Sequence, residues 1–353
     1  MVNRILAPLG IGMARLDVLV ARSRRWEVCN LLKALALLVA VRCCVQVSNI
    51  KDTASMKTSH HGKHMTSATK AVQTGKSSCF LTYAKIGKYG RLGNQIFQVA
   101  STIGIAESNK MTWKFPSTIT NASIGQLFDL HFYDVNDFYD VNDLEEYKEQ
   151  EELFYNVRLP ACEGTGISLS GYFQSLRYFA SSLTTLEKVL RLREAHIKHV
   201  TLHVPDVLRK HSVTMHVRRG DYVGLSDLYS LPGVEFYRRA LATLREVDVV
   251  IVVSDDIEWC KEHLVQNWTN GIKLTYSPFS DEHLDFVLLF LGKHSIIANS
   301  SFSWWSAFLK RLLKPHSEIG KVIAPRPWYN PRGPLSKLNT DAFYPHNWQV
   351  LDI

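Results

Sequence analysis

Two adjacent arginines, Arg218 and Arg219, close an apolar, β-branched run in Met215-His-Val-Arg-Arg-Gly-Asp-Tyr222. A guanidinium grips phosphate oxygens with a planar fork, where a lysine offers only a point charge. Gly220 allows close backbone approach, and Asp221 suits orienting a guanidinium or a sugar hydroxyl. A second group, Val252-Val-Ser-Asp-Asp256, ends another apolar run. The Asp255 and Asp256 carboxylates suit nucleoside hydroxyls, base nitrogens or a divalent ion, and an Asp at such a junction also suits helix capping. In a third, Ala298-Asn-Ser-Ser-Phe302, the hydroxyls of Ser300 and Ser301 meet the free amides of a helix start, a natural phosphate site. The following Trp304 and Trp305 fit core packing. A fourth, Gly87-Lys-Tyr-Gly90-Arg91-Leu-Gly93-Asn94-Gln95, follows a short strand and opens a helix. Its glycines permit close approach to a ligand, its spacing is neither a P-loop nor a dinucleotide fingerprint, and a tight turn explains it equally well.

Positioning these groups requires strands that end where they begin. Apolar runs at 80–83, 213–217, 249–253, 272–276, 295–298 and 322–324 read as strands. Amphipathic segments at 234–246, 257–266, 281–293 and 302–313, and one running to residue 105, read as helices. Strict β-α-β alternation implies a parallel sheet with right-handed crossovers, hence a Rossmann-like domain at 209–353. The region 80–208 opens the same way and reads as a second α/β domain, with the active site in the cleft between them. Arginines, carboxylates and hydroxyls at neighbouring strand ends suit a nucleotide diphosphate neutralised by arginine instead of a metal.

The chain has 353 residues, 46% of them hydrophobic, enough for about two domains. Its net charge of +8 is uneven. Residues 1–79 hold 12 Lys/Arg against 3 Asp/Glu, and the remainder holds 29 against 30. A basic tail on a neutral globule argues against nucleic acid as a partner. None of the six cysteines forms a C-x-x-C pair, which argues against zinc. One disulfide with one free thiol among Cys79, Cys162 and Cys260 suits an oxidising lumen. The tandem repeat at 132–143 lacks the glycine a calcium loop needs. His60, His61 and His64 sit in a Ser/Thr/Lys-rich linker and read as solvated.

Residues 1–30 read as a cytoplasmic tail, 31–47 as a marginal signal anchor preceded by Arg22, Arg24 and Arg25, and 48–79 as a stem. Lys33 and Arg42 interrupt the apolar stretch. Sequons stand at Asn121, Asn267 and Asn299, the last too embedded in its motif for glycosylation.

The stretches Gly90-Arg-Leu-Gly-Asn-Gln-Ile-Phe97, Leu169-Ser-Gly-Tyr-Phe-Gln174, His216-Val-Arg-Arg-Gly-Asp-Tyr222, Ser254-Asp-Asp-Ile-Glu-Trp259, Ile297-Ala-Asn-Ser-Ser-Phe302 and Ile323-Ala-Pro325 with Trp328 occur in one order over about residues 82–330. In these the chain resembles glycosyltransferase family 11, the α-1,2-fucosyltransferases. The resemblance implies a GT-B fold of two facing Rossmann-like domains, with 80–208 on the acceptor side and 209–353 binding GDP-fucose. It implies inverting, metal-independent transfer of L-fucose, with no cofactor, to the 2-hydroxyl of a glycan ending in a β-galactoside. A Golgi membrane location follows, single-pass type II with a luminal catalytic domain. By the same resemblance Arg218 holds the β-phosphate, Arg219 and Asp221 support the site, His216 and Asp285 meet the guanine, and Ser300 or Ser301 donates to phosphate. Phe302, Asp255, Asp256, Gly90, Arg91, Gly93 and Asn94 join the donor set. A related group of fucosyltransferases carries a base carboxylate several residues past the arginines; only Ser226 and Asp227 stand there, so Asp227 is the candidate. Two rival readings remain: a metal-dependent glycosyltransferase using Asp255 and Asp256, and a membrane-anchored, non-catalytic glycan-binding protein.

Overall fold

The computed structural model describes residues 79–130, 144–150, 157–161, 166–264 and 271–353. The tail, the anchor, nearly all of the stem, the three linker histidines, the 132–143 repeat, Cys162 and Asn267 lie outside them. In chain order come β1 (Phe80–Thr82), α1 (Leu92–Ser108), β2 (Thr112–Trp113), α2 (Ser123–Leu127), β3 (Glu145–Lys148), β4 (Gly166–Ser170), α3 (Leu183–Val189) and α4 (Glu194–His203). The four strands are parallel, ordered β2-β1-β4-β3. Apart from Asn94, every residue of α1 from Leu92 to Ala106 is buried, as expected of a helix apolar on nearly every side.

The second sheet holds β5 (Ser212–Val217), β6 (Val249–Ser254), β7 (Lys273–Tyr276), β8 (His294–Ile296), β9 (Val322–Arg326) and β10 (Gln349–Asp352). Between them run α5 (Gly220–Gly224), α6 (Val234–Ala242), α7 (Ile257–His263), α8 (Glu282–Leu291) and α9 (Ser301–Leu313). All its pairings are parallel, in the order β10-β9-β8-β5-β6-β7. The chain winds outward from β5 through β6 to β7, then returns beside β5 and winds the other way. That is the doubly wound order, with its switch point between β5 and β8. Every residue of β5 is buried, as a central strand covered on both faces must be.

Helix ends depart from the sequence pattern for local reasons. α6 stops at Ala242, where Thr243 and Leu244 turn back to carbonyls three residues earlier. Asp281 is the N-cap of α8, accepting from the His283 amide at 2.7 Å. The other end of α8 meets Lys310, 1% exposed, whose Nζ donates to the Gly292 carbonyl and Ser295 Oγ at 2.6 Å each.

The two sheets share one core. Phe97 of α1 packs on Trp304 and Trp305 of α9 at 4.8 and 5.0 Å, and Phe179 stacks on Trp305 at 5.3 Å. Both tryptophans are buried, and the Trp304 indole donates to the Phe343 carbonyl at 2.7 Å.

Candidate functional site

Strand β5 delivers Arg218 to its carboxyl end, beside the switch point. Its guanidinium is only 12% exposed and is gripped by Asp221 through Nη2 and by Asp255 at 2.6 Å through Nη1. Its Nε is buried with no hydrogen-bond partner among the described residues. The Tyr222 ring lies 4.9 Å from its Cζ. Arg219 is held in parallel: its amide donates to Asp255 at 2.8 Å, its Nε to Asp256 at 3.2 Å, and its Cζ lies 4.0 Å over the Trp259 ring. Asp256 also caps α7 through the Trp259 amide at 3.3 Å. The two aspartates thus orient the arginine pair. Gly220 is required there because a Cβ would stand 2.3 Å from Asp255 Oδ2. The close approach expected of that glycine is to a carboxylate of this chain.

The glycine-rich motif of α1 meets the same place. Arg91 Nη2 lies 3.1 Å from Asp221 Oδ2. Asn94 Oδ1 accepts from Ser301 Oγ at 2.9 Å and from Gln174 Nε2 at 2.5 Å. At Gly93 a Cβ would fall 2.5 Å from the Phe302 nitrogen, so the N-termini of α1 and α9 touch with no room for a methyl group. Gly90 has φ 75° and supplies the turn into α1.

His216, on β5, is buried, and its imidazole is pushed down to about 3, first by burial and then by the charge of Arg218. It is therefore neutral, with Nδ1 lacking a partner among the described residues and its ring 5.5 Å from Phe302. Asp285 stands further off, hydrogen-bonded to Ser277 Oγ, and connects to His216 through Phe286 and Phe302, whose rings are 5.4 Å apart. Burial pushes its carboxyl up to about 6, partly offset by Ser277. Ser300 is the buried N-cap residue of α9. Asp227 is exposed in the turn after α5. Asn299 is fully buried, its Nδ2 donating to Ser230 and Trp328 carbonyls at 2.7 Å, which removes it as a glycosylation site. Asn121 is exposed.

Several contributors had no role in the sequence reading. Tyr222 stacks on Tyr229 at 4.1 Å, and Tyr229 packs on Tyr329 at 5.7 Å, building a wall beside Arg218. Tyr222 was findable, since it closes the same motif as the arginine pair. Glu149 was not: it follows the 132–143 repeat in a run of acidic residues with no apolar period. Its Oε2 accepts the Tyr172 and Phe173 amides at 2.7 and 2.8 Å, and burial raises its carboxyl above the ordinary range despite those bonds.

The model of glycosyl transferase family 11 matches residues 54–349. The chain belongs to that family. An Escherichia coli alpha-1,2-colitosyltransferase is 31% identical over 212 residues, covering 57% of this chain and 68% of its own. The Caenorhabditis elegans galactoside 2-alpha-L-fucosyltransferase is 26% identical over 255 residues, 64% of this chain and 68% of its own. Human galactoside alpha-(1,2)-fucosyltransferase 1 is 25% identical over 273 residues, 69% and 72% of the two chains. Among solved structures, POFUT1 in complex with GDP aligns with a TM-score of 0.42 at 10% identity, covering 68% of this chain and 96% of that one. The fucosyltransferase NodZ from Bradyrhizobium aligns at 0.40 and 13% identity, covering 66% and 93%. This family 11 glycosyltransferase therefore carries its arginine pair at the switch point of a doubly wound sheet, braced by four carboxylate contacts from Asp221, Asp255 and Asp256.

Proposed function

We propose that the chain transfers L-fucose from GDP-β-L-fucose to the 2-hydroxyl of a terminal β-galactoside, with inversion, forming an α-1,2 linkage. The observation that carries this is the largely buried guanidinium of Arg218 beside the switch point, fixed by two aspartates with its Nε unpaired among the described residues. The family and the names of the worm and human relatives support the fucosyl donor and galactoside acceptor.

In this reading the bond between fucose C1 and the phosphate oxygen breaks, and its electron pair leaves with GDP. Arg218 balances the charge gathering on the diphosphate, and a Ser300 or Ser301 hydroxyl shares it. Arg219, Arg91, Asp221, Asp255 and Asp256 keep that guanidinium aimed. Neutral His216 and ionised Asp285 face the guanine, while Phe302, Gly90, Gly93 and Asn94 shape the wall. The acceptor hydroxyl bonds to C1 from the opposite face and passes its proton to a base, for which Asp227 is proposed. The GT-B arrangement, with 80–208 on the acceptor side and 209–353 on the donor side, belongs to the same proposal. So does a Golgi membrane location through residues 31–47; a disulfide at Cys79 and the exposed Asn121 favour a luminal side. Among the described residues no helix is long and apolar enough to cross a membrane.

The test is transfer by the full chain from GDP-fucose, and from a GDP-colitose comparison donor, to a panel of β-galactosides, with and without excess EDTA. Expected is an α-1,2-fucosylated product formed equally well in EDTA. Activity abolished by EDTA and restored by a divalent ion would favour a metal held by Asp255 and Asp256. GDP-fucose left unconsumed by every acceptor would favour a glycan-binding role.

A further inference from the structure

The loop after β4 is tied down by hydrogen bonds that leave one large side chain exposed. The Gly171 carbonyl accepts from Tyr83 OH at 2.6 Å, and the Tyr172 and Phe173 amides donate to Glu149. The Phe173 carbonyl accepts from Ser101 Oγ at 2.9 Å, and the Gln174 side chain reaches Asn94. The path is demanding: Gly171 has φ 150°, Phe173 has φ 49°, and a Cβ at Gly171 would strike Glu149 at 2.4 Å. Phe173 is buried, yet its neighbour Tyr172 leaves 41% of its surface exposed. A strained loop held by five hydrogen bonds thus presents one large aromatic ring to solvent.

Its position is as specific as its anchoring. Tyr229 lies within electrostatic reach of Tyr172 and also of Asp221 and Arg218. Gln174, two residues on, bonds the same Asn94 oxygen that receives Ser301 Oγ. Tyr89, 50% exposed, stands near Tyr83 together with Tyr172. An exposed tyrosine within a few side chains of a cationic group suits a pyranose. The ring's π-face takes up the C–H face of the sugar, and the hydroxyl edge stays in water. A β-galactoside offers such a C–H face, because its axial 4-hydroxyl leaves the 3, 4 and 5 hydrogens on one side.

The geometry points to Tyr172 as the platform on which the terminal galactoside of the acceptor stacks, with Glu149 as a positioning residue that holds the ring in place. This rests on the acceptor proposed above, and it assigns that acceptor a place in the fold.

The full chain is titrated with lactose in the presence of GDP and followed by saturation-transfer difference NMR, and the acceptor KM, kcat and GDP Kd are measured on the same preparations. Tyr172→Ala should raise the acceptor Kd and KM about tenfold, the scale of one strong aromatic contact. GDP Kd should not change, and Tyr172→Phe should restore acceptor binding. Glu149→Ala should raise the acceptor KM more than it lowers kcat, a split that general loss of structure would not produce. Lactose binding and KM unchanged in Tyr172→Ala would overturn the platform while leaving the activity intact. Wild-type chain that binds lactose through Tyr172 but transfers no fucose would sink the proposed activity and leave the platform standing.

Discussion

The two sheets hold their functional edges by opposite means. At the carboxyl end of β5 charge is held by charge: Arg218 and Arg219 are braced by Asp221, Asp255 and Asp256. At the carboxyl end of β4 backbone is held by hydrogen bonds, and the exposed group is an uncharged ring. The first arrangement can exchange partners, since a diphosphate can take N–H groups from an aspartate at small electrostatic cost. The second cannot shift without breaking several bonds together. Strong ionic binding and rigid apolar presentation are thus separated within one shared core.

The heaviest blow to the charged side is loss of Arg218. Arg218→Ala should cost ~3–4 kcal/mol in transition-state stabilisation, a hundred- to thousand-fold in kcat. Arg218→Lys should be nearly as damaging, since a point charge cannot satisfy Asp221, Asp255 and phosphate together. Steady-state transfer with circular dichroism checks this; a folded Arg218→Ala enzyme turning over normally would remove the phosphate assignment.

Asp255→Asn should be milder and of a different kind. It removes charge from a bridge between the Arg218 guanidinium and the Arg219 amide, and should lower stability by ~1–3 kcal/mol in denaturant unfolding. GDP affinity should fall less than for Arg218→Ala. Gly220→Ala should mimic it, by pushing the same carboxylate away.

On the backbone-held side, Glu149→Gln should cost about 1 kcal/mol of stability, because an amide oxygen still accepts both N–H groups without the charge. GDP Kd should stay unchanged, whereas the Asp255 variant should move it. Equal effects on GDP from both variants would erase the contrast.

The smallest expected effect is one of pH. If ionised Asp285 accepts from guanine, GDP affinity should weaken as pH falls through about 6, and Asp285→Asn should flatten that profile. Stability should run the other way. The folded carboxyl holds its proton from 3.8 up to about 6 while the unfolded one releases it, so stability falls as pH rises across that window. Calorimetry of GDP binding and thermal melts at pH 5 and pH 7 separate the two.

The sequence carried the second sheet well because buried parallel strands are short apolar runs with abrupt polar ends, as at 213–217 and 249–253. It was mute on β3, whose Glu145-Glu-Tyr-Lys148 has no apolar period and is a strand only by pairing with β4. The residues of the arginine site were legible by type, yet the division of labour among them was not. Asp255 and Asp256 read as groups for a ligand or a helix cap; Asp256 does cap a helix, and only the distances show both bracing arginines. Sequence spacing records which residues reach a strand end; which side chain turns towards which is decided by packing.

The contact at Gly93 carries a kinetic consequence. Two helix ends that leave no space for a methyl group resist parting, because opening them would also expose the Phe97, Trp304 and Trp305 cluster. In the proposed reaction, donor entry and GDP departure would then rely on movement of exposed side chains, Arg91 among them at 53% exposure. Backbone amides in α1 and α9 should keep the same slow hydrogen exchange whether the enzyme is idle or turning over.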